Sequence, residues 1–261
     1  MSVHHTLKDI QSAKDDRQLS INRVGVRRVK HPIWVHLQGE KQASIGEFSL
    51  YVDLPADQKG THMSRFLQIL HAARLEVSAD AFKTLVKRIG QELHATEAEI
   101  TVDFTVFLEK EAPISKEKGL IDYAVSVKAT LSNNEVSISL TVQVPVTSLC
   151  PCSKDISDYG AHNQRSHIII DAVLTGPIWI EEVIRLAEAQ ASCEVYAILK
   201  RPDEKYVTEF AYDHPKFVED MVRDVAASLL KEDRLGSFSI SSENFESIHN
   251  HSAYALITRQ K

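Results

Sequence analysis

In "EVSISLTVQVPV" every second residue is apolar: Val136, Ile138, Leu140, Val142, Val144 and Val146. A run of that length at period two gathers its apolar side chains on one face only as an extended strand. Ile100, Val102, Phe104, Val106 and Leu108 alternate in the same way within "EITVDFTVFLEK", and "DYAVSVKATL" follows suit. The turn residues Ser132–Asn134 separate that last run from the first. Strands joined so tightly pair antiparallel, and such sheets bury one face against helices or a second layer.

The rest of the chain supplies the helices. "WVHLQ" and "GEFSLYVDL" read as strands, followed by helices in "HMSRFLQILHAARL" and "SADAFKTLVKRIGQELH". In the second, Phe82, Leu85, Val86, Ile89 and Leu93 recur at helical spacing, with Ser78 as N-cap. After the long alternating strand comes a polar connection, then a strand in "SHIIIDAVL" and a helix in "IWIEEVIRLAEAQA". A last helix, "PKFVEDMVRDVAASLLKE", places Pro215 in its first turn and buries Val218, Met221, Val222, Val225 and Leu229. "GSFSISSENFES" and "HSAYALITRQ" end the chain as strands. Each half reads β-β-α-α-β-β, an α+β architecture with an antiparallel sheet and helices on one face. The expected division is an arm over 1–30, one unit over 31–133 and a second over 134–261. Long strands with open edges favour assembly into oligomers.

Composition narrows the function. The chain of 261 residues is 43% hydrophobic and 25% charged, a globular balance. Its net charge of −6 argues against a nucleic-acid surface, although one anionic ligand needs only a local basic cluster. No apolar run is long enough to cross a bilayer, and the polar start is unlike a signal peptide. Three cysteines are too few for a disulfide framework, so the expected setting is the reducing cytoplasm.

Chemistry concentrates in "SLCPCSKDISDYGAHNQRSHI", which holds Cys150, Cys152, His162 and His167. Pro151 stiffens an extended segment that points both thiols to similar sides. His249 and His251 lie far along the chain in "ESIHNHSAY". Thiolate with imidazole suits zinc first by ligand type. Cys193 reads as a small buried hydrophobe, and His4, His5, His31, His36, His71, His94 and His214 as hydrogen-bonded surface. Glu204 sits in a short loop of "LKRPDEKYVTE", where a solvated acid is the plain reading; Glu219 opens the last helix, where helix-dipole stabilisation would suffice. Lys59, His62 and Arg65 in "KGTHMSRF" precede a helix and offer an anion site.

Taken together, "SLCPCSKDISDYGAHNQRSHI", "KGTHMSRF", "LKRPDEKYVTE" and "NFESIHNHSAYA" resemble the blocks of the type IB GTP cyclohydrolases, in order, over most of residues 30–261. The resemblance implies tandem tunnelling-fold units, a homotetramer with interfacial active sites, and conversion of GTP to dihydroneopterin triphosphate and formate, feeding folate or a modified tRNA base. It implies one divalent metal, Zn2+ or Mn2+ with Fe2+ as a further option, bound by Cys150, His162, Glu204 and His249. Glu219 corresponds to the anchor of the guanine base. His251, Cys152 or His62 would move protons, and Lys59, Arg65 and Arg165 are candidates for the triphosphate. Two other readings stay open: a non-catalytic metal or thiol redox protein, and another tunnelling-fold purine or pterin enzyme.

Overall fold

The computed structural model describes residues 11, 13–73 and 75–260. His4 and His5 lie outside the described residues. The chain forms two compact units, one of Met1–Trp34, Ile45–Val102 and Lys128–Ile138, the other of Val35–Ser44, Asp103–Val127 and Ser139–Lys261.

The first unit contains most of β1 (Ile21–Leu37) and β2 (Glu40–Leu54), then α1 (Met63–Ala72), the short β3 (Glu76–Val77) and α2 (Ala79–Leu93). It also holds the start of β4 (Ala98–Glu111) and the end of β5 (Lys118–Ser132). The strand order here is β5-β4-β2-β1-β3. The apolar stripe of α2 is the one its spacing predicts: Phe82, Leu85, Val86, Ile89 and Leu93 are all buried. Ser78 caps the helix by accepting the Ala81 N–H at 3.2 Å. Gly90 lets α2 lie close on β5, since a Cβ there would stand 2.7 Å from Leu131 Cδ2. Asn133 and Asn134 both adopt positive φ, which a two-residue hairpin between β5 and the next strand requires.

β1 corrects one expectation: residues 21–30, taken as part of an arm, are strand. Nothing before Ile33 in β1 is fully buried, so no alternation marks it in the sequence.

The second unit carries most of β6 (Glu135–Leu149), then α3 (Pro151–Ile156), β7 (Asn163–Leu174), α4 (Ile180–Glu188), the short β8 (Cys193–Glu194), α5 (Arg201–Asp213), α6 (Val218–Leu229), β9 (Leu235–Phe245) and β10 (Ser252–Arg259). The order β10-β9-β7-β6 is antiparallel throughout, with β8 on the far side of β6. Leu140, Val142, Val144 and Val146 of β6, Ile168 and Ile170 of β7, and Phe238 and Ile240 of β9 form one buried face. α6 packs against β9 and β10 with Val218, Met221, Val222, Val225 and Leu229 buried, the predicted stripe.

Three local expectations fail here. The backbone after Cys150 does not stay extended: Pro151 occupies the first turn of α3, where its fixed φ favours a helix, so Cys152 is helical. Pro215 precedes α6 rather than opening it, because Phe217 is the N-cap. Glu204 lies not in a loop but in the first turn of α5. There Asp203 accepts from the Lys200 N–H at 2.8 Å, and its carboxylate also takes the N–H groups of Ile114 and Ser115 and the Ser115 hydroxyl. Pro202 beside it completes an N-terminal signature. Burial alone would raise the Asp203 carboxyl, but these donors outweigh it and hold the group well below the usual carboxylate range.

Candidate metal centre

Cys150 and His162 of the candidate centre stand at one end of the second unit's sheet. β6 and β7 pair down to Leu149 opposite Asn163. The thirteen-residue connection between them must therefore return to where it left. It does so through α3 and a turn at Gly160, whose φ of 109° only glycine adopts without strain. The closing bond runs from the Cys150 N–H to the His162 carbonyl at 3.1 Å. Two predicted ligands are thus side by side on the backbone. Cys150 is half-buried as the N-cap of α3, and its Sγ accepts the Ser153 N–H at 3.5 Å. The Ser153 hydroxyl accepts the His162 N–H at 3.2 Å, a second tie across the connection.

His162 is held at its ring. Nδ1 lies 2.8 Å from Gln164 Oε1, 3.4 Å from Ser247 Oγ and 4.0 Å from the Glu246 carboxylate. The last two belong to the β9–β10 connection, which carries His249 and His251 a few residues on. Those two exposed rings stack 5.1 Å apart. α5 approaches from another side: Val207 and Ala211 pack with Ala161 on Leu149, the residues just before His162 and Cys150. Glu204 occupies the same helical face as Val207 and Ala211, one turn nearer the N-terminus, and is exposed.

These contacts join Cys150 to His162 and bring the elements of Glu204 and His249 to the same neighbourhood. They do not close a cage: among the described residues, no group of three or more His, Cys, Asp and Glu stands close enough to hold a metal ion. By chemistry, thiol, imidazole and carboxylate suit zinc, manganese or iron. Cys150 and His162 are adjacent, and Glu204 and His249 are exposed.

Elsewhere the predicted residues are dispersed. Cys152 is exposed on α3, and Cys150, Cys152 and Cys193 are all free thiols. Cys193 is buried as expected, its thiol pushed up to about 11 by burial first and by Glu194 second. Glu219 is exposed at the start of α6, next to Asp220, whose carboxylate is engaged by the Phe217 N–H. Arg165 and His167 alternate with Gln164 and Ser166 along β7 and so face the other side of the sheet. His167 sits there between Gln143 and Phe245. In the first unit, Lys59 is exposed, His62 is the N-cap of α1, and Arg65 reaches the Glu92 carbonyl at 3.4 Å. A cleft of about 630 Å³ in the second unit, lined by Lys110, Tyr123, Glu188 and Tyr196 among others, contains neither Cys150 nor His162.

The structure adds residues that were not singled out in the sequence, although all but Ser242 fall within the quoted blocks. Ser148, Gln164, Ser166, Ser242 and Asn244 are buried polar groups on the core face of β6, β7 and β9. Ser148 and Ser166 continue the alternation of Val144–Val146 and Ile168–Ile170 with hydroxyls at core positions. That break in pattern was the available signal.

Comparison with known proteins follows the same lines. Residues 7–255 match the family described as type I GTP cyclohydrolase FolE2. The GTP cyclohydrolase FolE2 of Nitrosococcus oceani is 50% identical over 261 residues, covering 100% of this chain and 98% of the relative. That of Burkholderia pseudomallei is 52% identical over 262 residues, again covering 100% and 98%. Among solved structures, the uricase of Arthrobacter globiformis aligns over 92% of this chain and 93% of its own, with a TM-score of 0.54 at 9% identity. A hyperthermostable urate oxidase from Bacillus sp. TB-90 aligns over 92% and 99%, with a TM-score of 0.53 at 8% identity. At such identities the structural likeness speaks for the tunnelling fold alone. The full-length sequence match carries more, and by it the chain belongs to the type I GTP cyclohydrolase FolE2 family.

Proposed function

We propose that the protein converts GTP and water to 7,8-dihydroneopterin triphosphate and formate, at a metal centre built from Cys150, His162, Glu204 and His249. The observation that carries this reading is the family match over nearly the whole chain, with Cys150 and His162 tied together at the end of the sheet. A divalent cation, zinc, manganese or iron, would supply a polarised water able to attack guanine C8 at neutral pH.

The chain's own groups do the rest. Cys150 contributes negative charge as thiolate, and His162 and His249 contribute neutral nitrogens. Glu219, solvent-facing while Asp220 caps its helix, accepts the guanine N1–H and exocyclic amine. Adenine lacks that donor pair and would leave a desolvated carboxylate unpaired, at about 1–3 kcal/mol or more. His251, which stacks on His249, would shuttle protons during ring opening, with Cys152 and His62 as further candidates. Lys59, Arg65 and Arg165 are the cations offered to the triphosphate.

A homotetramer completes the reading. Ile156 and Tyr159 beside α3, and Phe245, Ile248, Tyr254 and Leu256 on β9, β10 and their connection, are large apolar side chains exposed around the candidate centre. Covering them with a second subunit would desolvate the site and bring the exposed donors into contact. The cytoplasm, with GTP and reduced thiols, is the matching compartment, and the product enters folate or modified-base synthesis. Among the described residues, no helix is long and apolar enough to cross a membrane.

The test is direct. Protein loaded in turn with zinc, manganese and iron is incubated with GTP; formate and, after oxidation, a fluorescent pterin are expected in equal amounts. Absence of both with every metal would overturn the reading in favour of a non-catalytic metal or thiol protein.

A further inference from the structure

We propose that Gln164 is a positioning residue that fixes the tautomer of His162, held in place by a hydrogen-bond relay behind it. The metal-affinity part rests on His162 being a ligand; the tautomer part does not.

The relay is buried and continuous. Gln164 Nε2 donates to Ser148 Oγ at 2.9 Å, and Ser148 Oγ lies 2.8 Å from Ser166 Oγ. Both serines are fully buried and Gln164 nearly so. On the other side of the same amide, Gln164 Oε1 meets His162 Nδ1 at 2.8 Å. A carbonyl oxygen only accepts, so Nδ1 must carry the proton and Nε2 is left with its lone pair outward. That is the form of imidazole that binds a metal, with its second nitrogen tied to an acceptor. The Glu246 carboxylate, 4.0 Å from Nδ1, favours the same tautomer. The Ser247 hydroxyl, at 3.4 Å, is the longer and more exposed contact.

The experiment uses the full-length, metal-free protein labelled with 15N-histidine, with magic-angle-spinning spectra reporting the tautomer and His162→Gln identifying the signal. Wild type is expected as Nδ1–H. Gln164→Glu, still an acceptor, keeps Nδ1–H, whereas Gln164→Met, similar in shape but without an acceptor, shifts to Nε2–H. In chelator competition, zinc affinity falls roughly 10–100-fold in Gln164→Met and stays within about threefold in Gln164→Glu. A merely structural role would damage both variants alike. Nδ1–H persisting in Gln164→Met, or Nε2–H in wild type, would overturn the role of Gln164. A tautomer shift as expected with zinc affinity unaltered would uphold the relay and instead remove His162 from the metal.

Discussion

Cys150 serves two ends at once: its sulfur caps α3, and its N–H closes the connection onto His162. The two roles separate by mutation. Cys150→Ala keeps the backbone bond but removes the thiolate, so bound metal is expected to weaken by at least about a hundredfold and turnover to vanish, as read by metal analysis and pterin fluorescence. Glu219 makes the opposite prediction. Glu219→Gln is expected to raise the KM for GTP roughly 10–100-fold, from the loss of a charged acceptor, with metal content unchanged. At this scale the candidates Cys150 and His162 stood out because unusual side chains crowd one connection. Their supports were not: a Gln or Ser at an inward position looks like any other polar residue until the register shows what it touches.

At the scale of elements, legibility followed burial. β6, α2 and α6 bury one face each and show clear periodicity, and all three are found where the spacing puts them. β1 before Ile33 and α5 have little buried surface and left weak patterns. In α5 only Asp203 and Ala211 are buried, so its start was marked by capping chemistry rather than by hydrophobicity. That chemistry has a pH signature. The Asp203 carboxyl is held below its ordinary 3.8, so folding favours its ionised form. The stabilisation is complete above about pH 4 and is lost as pH falls toward the folded value. Asp203→Asn keeps the shape but not the charge; its melting temperature is expected below wild type at pH 7, with the gap closing in acid. Equal differences at pH 7 and pH 3 would contradict the capping account. Because α5 carries Glu204, metal affinity should decline with it.

The whole molecule is read from its duplicated strand–helix order and its unsatisfied surface. The order was legible because tight turns link strongly alternating strands, and open strand edges already favoured oligomers; the surface that would serve was not, because the exposed Tyr254 and Leu256 of β10 are ordinary strand residues until they are seen uncovered on an edge strand. Light scattering is expected to give the mass of four chains of 29.3 kDa. Leu256→Lys should shift that mass downward and cut activity in parallel, since a separated chain lacks a complete donor set. A monomeric and fully active Leu256→Lys protein would contradict an interfacial site.

The central claim is that sulfur, imidazole and carboxylate groups remote in sequence meet on one cation. X-ray absorption at the zinc edge of the assembled, zinc-loaded protein tests it most directly. The account predicts one sulfur at about 2.3 Å with the remaining neighbours nitrogen or oxygen at about 2.0–2.2 Å, and loss of the sulfur shell in Cys150→Ala. A shell with no sulfur, or one unchanged by that substitution, would contradict it.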